Sequence, residues 1–293
     1  MKIIKKTLIY KKDAHYKIKA DFYQAKNLNH SPVVVYIHGG GLIWGSREDI
    51  DEEMISLYTN NGFSLFSIDY RLAPESKLSN ILEDVQDALL WLESEGQNQF
   101  SIDPKKIGVV GGSAGGFLAL FTGTFKHKPR AIVSFYGYGD ISTTWAIHPS
   151  NFYCKKEMIP NSLAKMLVTD EIITEASIEK RYLLYLHARQ QGVWVQEITG
   201  KDPIINKEEI LKFCPIHNIT TDFPPTLLLH GTKDTDVPYE QSVFMRAALI
   251  KKEVETKLIT IPNGEHVFEK DFHNPIVQDA MSQVIHFLRQ QLK

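Results

Sequence analysis

The chain is 293 residues long, with 43% hydrophobic residues, 23% charged residues and a formal net charge of −2. This is the balance of an ordinary globular protein; it steers toward neither nucleic acid nor an anionic membrane, and the length suits one large α/β domain, or one domain with an insertion, able to bury a full core without disulfides or a metal. Cys154 and Cys214 read as free thiols of a reducing compartment, residues 1–6 lack the apolar run of a signal peptide, and no stretch approaches the roughly 20 apolar residues of a membrane span, so the expected location is cytoplasmic.

In chain order, residues 2–10 and 16–23 predict a β-hairpin, because Ile18, Ala20 and Phe22 alternate with Lys17, Lys19 and Asp21. Residues 27–32 form a polar turn, and residues 33–37 an apolar run suited to a strand covered on both faces. A helix is expected over 48–60, ended by Asn61-Gly62, then a strand over 63–68. Ser79 is placed to cap a helix running to Glu95, with Ile81, Leu82, Val85, Leu89 and Leu92 on its apolar side. Pro104 marks a loop before a strand over 107–110. A helix over 114–124 and a strand over 131–135 follow.

After Gly139 the rhythm changes. Up to Phe223 no buried strand is evident, and amphipathic helical segments stand near 160–169, 178–191 and 207–213. Tyr182, Leu183, Leu186, Trp145, Phe152, Tyr153 and Trp194 could simply build a small core of this region's own. A strand over 226–229, a helix over 239–250, a strand over 256–261 and a last helix over 275–292 resume the alternation. Alternating strands and helices imply a mostly parallel sheet with helices on both faces and right-handed crossovers. The division is then a core of residues 1–139 and 224–293, with a helical insertion over 140–223.

Gly111-Gly112-Ser113-Ala114-Gly115-Gly116 follows an apolar strand and precedes a helix. A serine there sits on a sharp turn, and glycines two positions either side remove side chains that would clash. A dinucleotide cradle would need a different glycine spacing and an acidic residue about 20 positions on, and neither is present. His38-Gly39-Gly40-Gly41 directly follows the strand over 33–37. Its N–H groups, with that of Ala114, suit an oxyanion: Gly39, Gly40 and Ala114 are the expected donors. His38 itself is expected to prop the loop. Trp44, just past the glycines, is a candidate to line a substrate pocket, or else a packed core aromatic.

Two further loops leave the carboxyl ends of strands, where ligand sites of open α/β sheets lie. The first carries Asp234 and Asp236, of which Asp234, nearer the strand end, is the favoured acid. The second carries His266, the expected general base. Asp234 would fix the tautomer of His266, and Ser113 would be the nucleophile. His230, at a strand end, is expected to be a satisfied buried histidine.

The residues His38 to Gly41, Asp69-Tyr70-Arg71-Leu72-Ala73-Pro74-Glu75 and Gly111 to Gly116 resemble the hormone-sensitive-lipase-like esterases and their acetyl-esterase relatives, and the order serine, acid, histidine is that of α/β-hydrolases. The resemblance implies an α/β-hydrolase fold with an eight-stranded, mostly parallel sheet, a cap over the site, cleavage of short-chain carboxylic esters, and no cofactor or metal. It also makes Arg71 and Glu75 loop anchors by ion pairing. One departure stands out: many members carry Gly-Phe after the base, where this chain has Val267-Phe268. The expected activity is that of a serine carboxylesterase on a small-molecule ester. An amidase, formamidase or peptidase with the same triad is the alternative; a receptor or scaffold on the same fold is disfavoured because all three triad members are present. A homodimer is an open option.

Overall fold

A computed structural model describes residues 5–25 and 30–293; part of the expected first strand and half of the expected polar turn lie outside the described residues, and Ser31 and Pro32 of that turn belong to a strand instead. One eight-stranded sheet runs through the molecule. Its strands are β1 (Lys5–Lys12), β2 (Lys17–Tyr23), β3 (Ser31–Ile37), β4 (Ser64–Ile68), β5 (Ile102–Gly112), β6 (Ala131–Phe135), β7 (Thr226–Gly231) and β8 (Thr256–Ile261). Their spatial order is β1-β2-β4-β3-β5-β6-β7-β8. β2 pairs antiparallel with β1 and β4; every other pairing is parallel.

The continuous apolar run of β3 has the physical cause expected of it. Successive side chains point to opposite faces: Val33, Val35 and Ile37 enter one core cluster and Val34 enters the other. On the first face lie the helices Leu78–Trp91, Ala114–Thr122 and Glu240–Lys251; on the second lie Glu52–Asn60 and Pro275–Gln291. The last helix buries Val277, Ala280, Met281, Val284, Ile285 and Leu288 along one stripe.

Between β6 and β7 the chain forms the helices Thr144–Ile147, Asn161–Met166, Ile178–Gln191, Trp194–Thr199 and Lys207–Leu211. Its buried side chains, Trp194 and Leu184 among them, join the same cluster as the sheet's first face, so the insert has no separate core. Among the described residues, no helix is long and apolar enough to cross a membrane. Cys154 and Cys214 are both free.

Three local expectations are corrected. Ser79 does not cap its helix: Lys77 occupies the cap position, and its N–H donates to Asn80 Oδ1 (3.2 Å). Pro104 lies not in a loop before the strand but within β5, where the pairing with β3 slips between Ser31 and Val33 and a proline needs no ladder bond. The six-residue helix Trp194–Thr199 was not foreseen; it is bounded by Gly192 and Gly200, both left-handed.

Candidate active site

The nucleophile turn is fixed by how closely two backbones approach. A Cβ on Gly111 would come within 2.3 Å of the Gly115 carbonyl oxygen, and one on Gly115 within 2.0 Å of that of Ile37. Only glycine fits at either position, which is the steric reading of the motif. Between them Ser113 adopts φ 55°, ψ −118°, a conformation that costs a non-glycine residue about 1–3 kcal/mol and persists only where its surroundings enforce it. They do so here: Ser113 N–H donates to the Phe135 carbonyl (2.9 Å), and the Ser113 carbonyl accepts from Phe117 N–H (2.9 Å).

The glycine loop after β3 packs directly on this turn. A Cβ on Gly39 would lie 3.1 Å from the Gly112 carbonyl oxygen and 3.5 Å from Ser113 Cβ. Gly40 has φ +95°, and its carbonyl accepts from Ile43 N–H (2.9 Å) and Trp44 N–H (3.1 Å), closing a tight turn. Among the described residues, the N–H groups of Gly39, Gly40 and Ala114 donate to no protein acceptor. His38 supports the loop from below. It is buried, stacks on Tyr70 at 4.2 Å, and its Nδ1 lies 2.9 Å from the Gly39 carbonyl. Burial holds its imidazole down at about 4, against the Asp49 charge and the Gly39 carbonyl, so it stays neutral at neutral pH. Tyr70 OH braces the same turn by donating to the carbonyls of His38 (2.9 Å) and Gly39 (3.1 Å).

The acid and base loops meet at the carboxyl ends of β7 and β8. His266 Nδ1 lies 2.7 Å from Asp234 Oδ2, while Asp234 Oδ1 accepts the N–H groups of Asp236 and Val237, each at 2.9 Å. Buried His230 stands behind this carboxylate, with Nε2 3.3 Å from Asp234 Oδ2 and Nδ1 2.8 Å from Ser242 Oγ. Burial alone would push the Asp234 carboxyl up, but the hydrogen bonds of His230 and His266 outweigh it and hold it far below the usual carboxylate range. For His266, burial works against the charged form, yet the Asp234 hydrogen bond and the charges of Asp236, Asp234 and Glu269 prevail and raise it above an ordinary histidine.

Asp234 and His266 are thus brought together, and His266 is tied to the Ser113 turn through a shared neighbour. The Tyr136 ring is 4.5 Å from the imidazole, and its hydroxyl lies 2.8 Å from where a Cβ of Gly112 would be. No hydrogen bond joins Ser113 Oγ to His266 Nε2 in this conformation. Nε2 instead faces Asp236 Oδ2 at 3.8 Å. Such bonds are commonly loose before substrate is bound.

The insert reaches the same place. Tyr185 OH donates to Asp236 Oδ1 (2.7 Å), and its ring lies against Gly41. Arg189 donates to the Asp236 carbonyl (3.3 Å) and sits among the rings of Trp145, Tyr153, Tyr185 and Trp194, 5.0 to 5.9 Å from their centres. A cavity of about 630 Å³ opens between insert and acid loop, lined by Trp145, Phe152, Lys155, Arg189, Asp236 and Pro238. Trp44 packs edge-on against Tyr182 and Tyr185 of the insert, at 6.1 and 5.0 Å. The loop anchors are ion pairs: Arg71 Nη2 with Asp84 Oδ1 (2.7 Å), and Glu75 Oε2 with Arg181 Nη2 (2.6 Å), the second reaching from the core to the insert. Tyr136, Tyr185, Arg189 and Glu269 were not foreseen. Among the described residues, no group of His, Cys, Asp and Glu could hold a metal ion.

Three solved structures share this fold along nearly all of the chain. A protein of unknown function from Staphylococcus aureus subsp. aureus Mu50 is 27% identical (TM-score 0.77; 99% of this chain and 100% of that one). An α/β-hydrolase superfamily protein from Enterococcus faecalis is 23% identical (TM-score 0.75; 99% and 100%). An esterase from Pyrobaculum calidifontis is 23% identical (TM-score 0.72; 98% and 85%). Among curated proteins, a non-reducing polyketide synthase of Penicillium roqueforti is 27% identical over 312 aligned residues; the alignment takes in 90% of this chain but only 12% of the synthase. The BD-FAE family matches residues 20–249. With that match spanning well over half its length, and with the sheet and helices just described, the chain belongs to the BD-FAE family and has the α/β-hydrolase fold of esterases.

Proposed function

We propose that the chain is a serine carboxylesterase that hydrolyses small, short-chain acyl esters through an acyl-Ser113 intermediate. The observation that carries this reading is Ser113 at φ 55° on a turn packed against the Gly39 backbone, with Tyr136 touching both that turn and the ring of His266, which pairs with Asp234 at 2.7 Å. Ser113 Oγ attacks the ester carbonyl carbon while His266 Nε2 accepts its proton. The carbonyl oxygen becomes an oxyanion, which the N–H groups of Gly39, Gly40 and Ala114 receive. Asp234 holds the tautomer that leaves Nε2 free and stabilises the imidazolium. Collapse of the intermediate breaks the bond to the alcohol, which departs with the proton from His266. A water, deprotonated by the same histidine, then releases the acid and restores Ser113.

In this reading residues 140–223 act as a cap on a core of residues 1–139 and 224–293. The cavity beside Asp236 receives part of the substrate; Trp44 does not line that cavity but packs edge-on against Tyr185, and is assigned to the acyl or alcohol side by its place just past the glycine loop. All the chemistry uses side chains, backbone N–H groups and water. The fold shared with the Pyrobaculum calidifontis esterase supports the reaction class.

The test is a fluorophosphonate probe together with matched p-nitrophenyl esters and anilides from two to eight acyl carbons. The probe should label the protein and fail to label Ser113→Ala, and the short esters should turn over fastest. Labelling that persists in Ser113→Ala removes Ser113 as nucleophile. Turnover of the anilides alone would replace the esterase by an amidase.

A further inference from the structure

The proposed reaction leaves one inward-facing acid without a task. Glu269 lies three residues past His266 in the short turn Phe268–Lys270. Its Oε1 accepts a hydrogen bond from the Tyr136 hydroxyl, and its Oε2 is buried with no hydrogen-bond partner among the described residues. A buried polar atom left without a partner calls for an explanation, and a role in the chemistry is one.

Tyr136 is held at both ends. It leaves β6 with φ 38°, its N–H donates to the Leu229 carbonyl (2.6 Å), and its hydroxyl is tied to Glu269. Its ring touches both the residue before Ser113 and the imidazole. A Cβ on Gly112 would meet the Tyr136 hydroxyl at 2.8 Å, and the His266 ring centre is 4.5 Å from that of Tyr136. The second glycine of the motif is therefore needed for this tyrosine rather than for the turn itself. The positive φ of Tyr136, sparsely populated by aromatic residues, is the kind of strain that clusters at functional sites.

We propose that Tyr136 and Glu269 are positioning residues: the Glu269 carboxyl group anchors the Tyr136 ring between the Ser113 turn and His266, and its charge helps to hold the imidazolium that forms when His266 takes the Ser113 proton. The inference rests on the Ser113–His266 reading above. Several ionisable groups face the two partners. Around His266 stand Asp234 and Asp236 of the acid loop and Glu269 of its own loop; His230 backs Asp234, and Arg189 and Tyr185 of the insert back Asp236. Around Glu269 stand Tyr136, Tyr36 of β3, Tyr58 of the helix Glu52–Asn60, and Lys270. Burial raises the Glu269 carboxyl, and the Tyr136 hydroxyl opposes that rise by hydrogen bonding to the ionised form.

The sign of the effect follows. Glu269→Gln removes a negative charge that favours protonated His266, so the imidazole should lose its proton at lower pH. Tyr136→Phe removes the bond that opposes the rise of the Glu269 carboxyl and should act in the same direction, more weakly. Both should lower kcat by between roughly 10- and 100-fold through misplacement of the base, with KM changed less.

The experiment measures two quantities on both variants: the pH profile of kcat/KM with a short-chain p-nitrophenyl ester, and the NMR titration of the His266 ring nitrogens in a Ser113→Ala background. The expected result is an acid limb and a His266 midpoint that both move to lower pH in Glu269→Gln. A limb and midpoint that stay at their wild-type positions in both variants overturn the proposal. Because the titration needs no turnover, it still decides the matter if Ser113 proves not to be the nucleophile. If either variant fails to fold, the other carries the test, since Tyr136→Phe removes a single oxygen and Glu269→Gln is close to isosteric.

Discussion

The nucleophile turn and the insert that leans over it are held by different forces. At the turn the backbone itself dictates the geometry: carbonyl oxygens of Gly115 and Ile37 stand where any Cβ on Gly111 or Gly115 would go, and β5 reaches Ser113 with no slack. Much of the insert's hold on the core passes instead through long side chains, beside the backbone pairing of Gly45 with Ala176 and the bond from Leu72 N–H to the Ile173 carbonyl (2.8 Å). Arg181 reaches Glu75 and the carbonyls of Ala73 and Ile43, Trp194 Nε1–H donates to the Gly41 carbonyl (3.0 Å), and Tyr185 reaches Asp236. A backbone constraint can be met by one residue type only. A side-chain tether can be met in many ways, so it leaves little trace in a sequence and should tolerate replacement better.

The largest effect should separate the two carboxylates at the junction of these regions. Asp234 is fixed by backbone N–H groups of its own loop and belongs with the turn; Asp236 is held by Tyr185 and Arg189 and belongs with the insert. Asp234→Asn should lower kcat by about 10⁴, the scale of the same change in a serine protease. Asp236→Asn should leave kcat within about tenfold of wild type. Steady-state kinetics on a short-chain ester checks both, and a reversal of the two effects transfers the acid role to Asp236.

Next in size is the tether itself. The Arg181 and Glu75 side chains are 4% and 2% exposed, so Arg181→Met leaves a buried carboxylate without its partner. Breaking such a pair costs about 3–5 kcal/mol, whereas replacing both members by apolar residues is often close to neutral. Chemical denaturation should show that loss in Arg181→Met and its recovery in Arg181→Met/Glu75→Leu. Limited proteolysis of the single variant should cut first within residues 140–223. Equal protection of insert and core would mean the two regions are not distinct units of stability.

The third prediction concerns pH. In the proposed mechanism the free enzyme acts with His266 neutral, and the facing carboxylates raise its proton affinity above an ordinary histidine. The acid limb of kcat/KM should therefore lie above about 6.5, the unperturbed value. In Asp234→Asn it should fall back toward or below that value. The sign for stability follows the same shifts: the contribution of protonated His266 is complete below about 6.5 and is lost as pH rises through its higher folded value, while that of Asp234 is present above about 3.9 and is lost as pH falls.

The same contrast explains what could be read ahead of the structure. β6 is legible end to end because an apolar run leaves little choice, β8 because its short strand is closed by Pro262-Asn263-Gly264, and the Ser113 turn because its glycines encode a steric requirement. The role of Ser79 was misjudged because a side chain able to cap is not obliged to, and Lys77 with Asn80 does the work instead. Tyr136 and Glu269 could not be found: their meaning depends on β6 and the His266 loop arriving at one point from 133 residues apart. The nearest signal was a glycine in the motif, Gly112, that the turn alone does not require.

The smallest effect tests the backbone side of the comparison at a place where the chain departs from the family it resembles. Val267, next to the base, has φ 58°, ψ 34°. Left-handed backbone costs a residue with a Cβ about 1–2 kcal/mol, and a β-branched side chain is an outlier there. The side chain is 43% exposed, so it recovers little of that cost by packing. Glycine would remove the strain but release about 0.5–1 kcal/mol of extra chain entropy on unfolding. Val267→Gly should therefore stabilise the fold by no more than about 1 kcal/mol, seen as a higher denaturation midpoint at constant slope, with kcat unchanged within about twofold. If the variant is instead less stable by more than that, Val267 holds the base loop through contacts, and His266 is positioned by side-chain packing in the manner of the insert rather than by backbone in the manner of Ser113.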